Sequence, residues 1–218
     1  MSDPHRLLPF LASTDSGSGL AAQDLWRAAR SLAEDPRRGV LGQPGFAWMP
    51  DLVDAVRRRG SNWVAAPAGV SVQMEGGARD NLVVVGALDA ARLLITVRGS
   101  GNVVWIGGSR KFAGRITVAG RDNLFFAGAG VTCNAGHFVL RSHARSILIG
   151  EDSMLSFDVK VRCSDMHGIF DVATGEQVNP AQSVLIGPHV WLGEEVVVLK
   201  GVEVGAGAVV SARALVSA

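Results

Sequence analysis

The sequence lacks tyrosine, has only two cysteines, and is poor in aromatic residues, which make up 6% of it. Each scarcity removes a class of protein. Two cysteines, Cys133 and Cys163, cannot supply the disulfide framework of a small secreted domain, and a reducing cytoplasm is the simpler setting. No run approaches the roughly 20 consecutive apolar residues that span a bilayer, so no stable membrane insertion is expected. The first residues, MSDPHRLLPFLAST, lack a basic segment leading into a long apolar one, so no signal peptide is expected. The net charge of +1 gives no global field that would favour nucleic acid.

What the chain does have is glycine, 27 residues, within a composition that is 48% hydrophobic. That combination suits many tight turns around a core of small branched side chains. It does not suit disorder, which needs low hydrophobicity and high net charge.

The arrangement is periodic. An aliphatic residue recurs at every sixth position in Ile186, Leu192, Val198, Val204, Val210 and Val216. Gly187, Gly193, Gly205, Ser211 and Ser217 follow five of them, with Leu199 as the departure. The register also runs back through Ile149-Gly150, Leu155-Ser156 and Val161-Arg162. A period of six matches neither a helix nor a simple alternating strand. It predicts a prism of short strands, mainly β, in which the aliphatic points inward and the small neighbour permits the bend.

Upstream the same theme is stretched. NLVVVG ends at Gly86, NVVWIG at Gly107 and NLFFAG at Gly128, with SILIG and SVLIG ending at Gly150 and Gly187. The first three spacings between these glycines are 21, 21 and 22 residues, and the next is 37. The long spacing predicts one excursion from the coil at about residues 164–183. Asn81, Asn102 and Asn123 predict a structural stack at one corner, where Asn tolerates unusual backbone angles.

Residues 1–65 read differently, as a helical N-terminal segment. LAAQDLWRAARSLAE (20–34) predicts a helix stopped by Pro36 and Gly39, and PDLVDAVRRR (50–59) a second one. Trp26, Trp48 and Trp63 are expected to pack this segment on the coil or on a neighbouring subunit. Residues 66–218 form the predicted β-helix domain.

The excursion holds the candidate chemistry. Its sequence, SDMHGIFDVATGEQVNPAQS, contains one histidine, His167, between Asp165 and Asp171. A neutral imidazole can accept a proton from a hydroxyl, and a nearby carboxylate can orient its ring. Long loops in compact domains are usually functional.

Two runs carry a resemblance. IGPHVWLGEEVVVLKGVEVGAGAVV (186–210) is similar to the hexapeptide-repeat acetyltransferases. The loop SDMHGIFD, followed by TGEQVNP, resembles O-acetyltransferases of bacterial capsular polysaccharides, including those of polysialic acid. The resemblance covers about residues 78–218. It implies a left-handed parallel β-helix, a homotrimer, and acetyl-CoA in a groove between adjacent coils. It matches His167 to the family's catalytic base and Trp191 to a tryptophan near the reacting thioester. Asp165 is the candidate orienter of the imidazole, with a turn-forming role as its alternative. Gly193, Ala212 and Ser217 fall where the family lines the cofactor groove, and Lys200 is placed to meet a cofactor phosphate or simply solvent. The implied reaction moves an acetyl group from acetyl-CoA to a sugar hydroxyl of a capsular or cell-surface polysaccharide, in the cytoplasm and without a metal. The family continues with a further coil where this sequence ends in Val216-Ser-Ala218.

Three other readings compete. A zinc-dependent γ-carbonic anhydrase-like site would need three histidines on one metal, and His137, His143 and His189 do not have that spacing. Cys163 as a covalent nucleophile lacks any sign of a depressed thiol pKa. A non-catalytic β-helix scaffold would have no use for His167 and Trp191 together.

Overall fold

The computed structural model of the chain describes residues 36–48 and 55–218. Its strands form a parallel β-solenoid with three faces. The first face is an eight-stranded sheet containing Asn62–Ala65, Leu82–Val85, Val103–Ile106, Leu124–Ala127, Ser146–Ile149, Val184–Ile186 and Glu203–Val204, all parallel, with Arg57–Arg59 added antiparallel at its edge. The other two faces share long strands in the upper rungs. Thr132–His143 bends so that its first part pairs with Met154–Leu155 and its middle with Val159–Arg162. Below it the faces separate. Met154–Leu155, Trp191–Leu192 and Val209–Val210 continue the second face, and Val159–Arg162, Val197–Val198 and Leu215–Val216 the third.

The hexad aliphatics fill the interior as expected. Ile186, Leu192, Val198 and Val204 are buried in one cluster that runs the length of the coil, with Phe112, Phe125 and Phe138 stacked in its upper part. Corners are tight: a Cβ on Gly150 would stand 2.4 Å from the Pro188 nitrogen of the next rung.

The strands of the first face are buried on both sides, which explains their unbroken apolar runs. Their outward residues Leu82, Val84, Trp105, Leu124, Phe126 and Leu148 form a second cluster beneath Leu41, Phe46 and Trp48. Trp48 packs edge-on against Trp105 at 4.8 Å and Phe126 at 5.1 Å. Two arginines fasten this covering segment. Arg38 is fully buried and donates to Ser146 Oγ at 2.7 Å and to the Asp122 carbonyl at 2.8 Å. Arg37 donates to the Gly201 carbonyl at 2.7 Å and pairs with Glu203 at 3.1 Å.

The predicted corner stack is present and one rung longer than its sequence signature. Asn81 Nδ2 donates to Asn62 Oδ1, Asn102 to Asn81 and Asn123 to Asn102, at 2.8, 2.9 and 3.0 Å. Each bond contributes on the order of 0.5–1.5 kcal/mol, and each buried amide would be costly if left unmade.

Two expectations change. Arg57–Arg59 is a strand, not the end of a helix; it pairs with Asn62–Ala65 across the turn at Gly60, whose φ is +62°. The ladder therefore begins at Asn62, upstream of residue 66. Pro36–Val40 forms a 3-10 turn. The helix expected at 20–34, with Trp26, lies outside the described residues.

Candidate active site

The coil leaves its path after Arg162 on the third face and returns at Val184 on the first. Residues 163–183 thus project from the corner between those faces, closed at the base by the Gln182 amide donating to the Cys163 carbonyl at 2.9 Å. The outer part is a short hairpin: Phe170 and Gln177 bridge antiparallel, and Asp171 Oδ1 accepts from the Ala173 and Thr174 amides at 2.8 Å. Those bonds hold the Asp171 carboxyl below its usual range.

Asn179 organises the inner part. Its Nδ2 donates to Asp165 Oδ2 and to the His167 carbonyl, both at 2.9 Å, and its Oδ1 accepts from the Ile169 amide at 2.6 Å. Lys200 Nζ, from the coil, reaches Asp165 Oδ2 at 2.5 Å and the Asn179 carbonyl at 3.1 Å. The Asp165 carboxyl is held below the usual carboxylate range, first by the Lys200 hydrogen bond and then by Asn179. The result is a staple that fixes the backbone on both sides of His167. Met166, just before it, has φ +66°, a conformation that costs a non-glycine residue roughly 1–2 kcal/mol. His167 is exposed and lines a hollow of about 150 Å³ with Arg141, Ser164, Asp165, Gln177 and Asn179.

The candidate residues fall into two groups. Asp165, His167 and Lys200 gather at the corner between the third and first faces. Trp191 stands outward on the second face, 48% exposed, with Met154 and Val209 beside it in register. Gly193 turns the corner after it, so close to the rung below that a Cβ would meet the Ala212 nitrogen at 2.6 Å. Ser217 follows Leu215–Val216 at the end of the third face and is exposed. The second face lies opposite the corner that carries the loop. A filled core therefore separates His167 from Trp191 within one chain.

The partners differ from the expected ones in two places. Asp165 bonds Lys200 and Asn179, and through Asn179 it bears on the His167 backbone instead of the imidazole ring. Lys200, expected at a cofactor phosphate or in solvent, is tied to that carboxylate. From the sequence, Asn179 reads as a loop residue that touches the acceptor or forms a turn; nothing there marks it as the hub.

Cys163 is fully buried, as is Cys133, whose thiol burial pushes up to about 12. His137 stands on the third face, His143 at the end of that long strand accepting from the Arg121 amide, and His189 in the turn before the second face. The fold distributes these three histidines over different parts of the prism. Among the described residues, no group of three or more metal-binding side chains is assembled, and no helix is long and apolar enough to cross a membrane.

No family model matches the chain. It is 33% identical over 129 residues to the polysialic acid O-acetyltransferase of Neisseria meningitidis, a match spanning 49% of this chain and 60% of the relative. It is 34% identical over 84 residues to the polysialic acid O-acetyltransferase of Escherichia coli O1:K1, spanning 38% of this chain and 27% of the relative. Over these spans the chain is similar to polysialic acid O-acetyltransferases. It spans less than two thirds of the length of either relative. Its fold also matches the crystal structure of the polySia-specific acetyltransferase NeuO, with a TM-score of 0.51 at 24% identity, over 67% of this chain and 81% of that one.

Proposed function

We propose that the protein is an O-acetyltransferase that moves an acetyl group from acetyl-CoA to a sugar hydroxyl of a bacterial capsular polysaccharide, with His167 as general base. The observation that carries this reading is the staple around His167. An exposed imidazole on a projecting loop would ordinarily wander; here Asp165, Asn179 and Lys200 fix its backbone at the mouth of a hollow. Relatives that act on a polysaccharide support the choice of acceptor.

In this reading His167 accepts the proton of the sugar hydroxyl as its oxygen attacks the thioester carbonyl. The new C–O ester bond forms, the C–S bond breaks, and the protonated imidazole returns its proton to the departing thiolate. Base catalysis of this kind contributes on the order of 10²–10⁴-fold. The Trp191 indole N–H or a backbone amide stabilises the transient oxyanion, an interaction typically worth about 2.7–4 kcal/mol. The apolar column of Met154, Trp191 and Val209 suits the pantetheine arm of the donor.

His167 and Trp191 stand on opposite sides of one coil, so the complete site forms between copies, in a homotrimer. The cytoplasm supplies the acyl donor. Replacing His167 with Ala tests the mechanism: acetyl-CoA consumption against a panel of capsular oligosaccharides is expected to vanish while the oligomer persists. Retained turnover would remove His167 from the mechanism.

A further inference from the structure

Among the described residues, the upper rungs of the third face carry basic side chains that form no ion pair, whereas Val197 and Leu215 continue the column below. Along Val159–Arg162 the side chains alternate, Val159 and Val161 inward, Lys160 and Arg162 outward. The register aligns the outward ones between rungs. Arg115 lies directly over His137, and His137 directly over Lys160. Arg162 stands in the neighbouring column beneath Val139, and Arg141 comes two residues further along that upper strand.

Rungs of a sheet are about 4.8 Å apart, and like charges set directly opposite each other destabilise a sheet. Such a column is normally relieved by acids. Here, among the described residues, Arg115, Arg141, Lys160 and Arg162 make no ion pair, whereas Arg37, Arg98, Lys200 and Arg213 each do. Asp158 is the one acid lining the hollow of about 360 Å³ formed by Arg115, His137, Lys160 and their neighbours. The pKa of His137 is lowered first by burial and then by Arg115, Arg162, Lys160 and Arg141, so all four cations act on one point. With a net charge of only +1 for the whole chain, this is a concentrated local field.

We propose that this face is a binding track for an acidic polysaccharide, running over Arg115, His137, Lys160 and Arg162 to Arg141 at the mouth of the His167 hollow. Arg141 lines that hollow together with His167, so the track is continuous with the candidate site. Arg and Lys recognise carboxylate and phosphate alike, and the shared chemistry is a sugar chain with a repeated anionic group. The exposed aromatic residues Phe157, Phe170 and Trp191 sit at the second face, its corner and the loop, off this track. The purpose of the track rests on the acyltransferase reading; its existence does not.

The test is equilibrium binding of the full chain to four probes matched in length: a sialic acid oligomer for carboxylate, a teichoic acid for phosphodiester, dextran as neutral polymer, and an RNA oligomer. Saccharide polyanions are expected to bind, more weakly as salt rises, and dextran is expected not to bind. The Arg115→Gln/Lys160→Gln/Arg162→Gln variant is expected to lose about tenfold or more in affinity and most of the salt dependence. The single Lys160→Gln change serves as a milder variant with the same expected direction. Whichever of the two acidic glycans binds more tightly assigns the anion. Unchanged affinity in the variants, equal binding of dextran, or tighter binding of RNA overturns the proposal. A chain that binds the acidic polymer but transfers no acetyl group contradicts the acyltransferase reading and supports the track; one that transfers acetyl but prefers dextran contradicts the track.

Discussion

Asn179 holds His167 by its backbone: one amide group donates to the His167 carbonyl and to the Asp165 carboxylate, both at 2.9 Å. Residues from the two ends of a long loop are thus joined beside the candidate base, and Lys200 ties the joint to the coil at 2.5 Å. The imidazole inherits its position from this staple.

Asn179→Ala is therefore expected to lower kcat by about 100-fold, the scale of a displacement of roughly 1 Å at a reacting group. Asn179 acts here as a positioning residue. The midpoint of the kcat–pH profile is expected to stay in place while its height falls; a shifted midpoint would mean that Asn179 acts on the imidazole ring directly.

Acid should loosen the same joint. The folded Asp165 carboxyl lies below the usual carboxylate range, first through the Lys200 hydrogen bond and then through Asn179. A depressed carboxyl stabilises the folded form above its unfolded pKa, and that contribution is lost as pH falls through the folded value. Docking of the loop is expected to be intact at neutral pH and to fail only in acid below the ordinary aspartate range. Exchange protection of the Ile169 amide, which is bonded to Asn179 Oδ1, is the measurement. Asp165→Asn should abolish the acid step, and because Asp165 is exposed the effect should be small and salt-sensitive.

Neither His167→Ala nor Trp191→Ala chains should transfer acetyl efficiently alone. Co-assembled, they should recover part of the activity, because some sites would pair an intact His167 from one copy with an intact Trp191 from another. Mixed oligomers no more active than the parents would contradict a site shared between copies.

The covering segment makes a stability prediction. Trp48 is buried against Trp105 and Phe126, and Trp48→Ala should destabilise the protein by about 3–5 kcal/mol, the usual range for emptying such a site. A shift in the midpoint of denaturant unfolding reads it directly. Asn102→Ala, which removes a side chain from the middle of the ladder and leaves the Asn123 amide without its Asn102 acceptor, should cost about 1–3 kcal/mol.

Much of this molecule is legible in its sequence, and the residues show why. Ile186, Leu192, Val198 and Val204 recur every six positions because each rung of the coil turns the chain through the same three corners, so one interior site repeats along the sequence. The runs around Trp105 and Phe126 are continuously apolar because both of their sides are covered. The loop was legible as the place where the spacing broke, and its histidine as the one titratable group of its kind within it. Reading PDLVDAVRRR as a helix failed at Arg57–Arg59, where a tight turn at Gly60 and pairing with Asn62–Ala65 overrode a weak local preference.

The sequence alone determined the solenoid, its core and the excursion that carries His167, since all three are properties of order and period along one chain. The tertiary structure decided the rest. Lys200 meets Asp165 because a coil brings residues 35 apart to one corner. Arg115, His137 and Lys160 form a column because strand register stacks them. Trp191 is set across the prism from His167 because the interior between them is filled. These relationships depend on how successive rungs lie on one another, which no local pattern encodes.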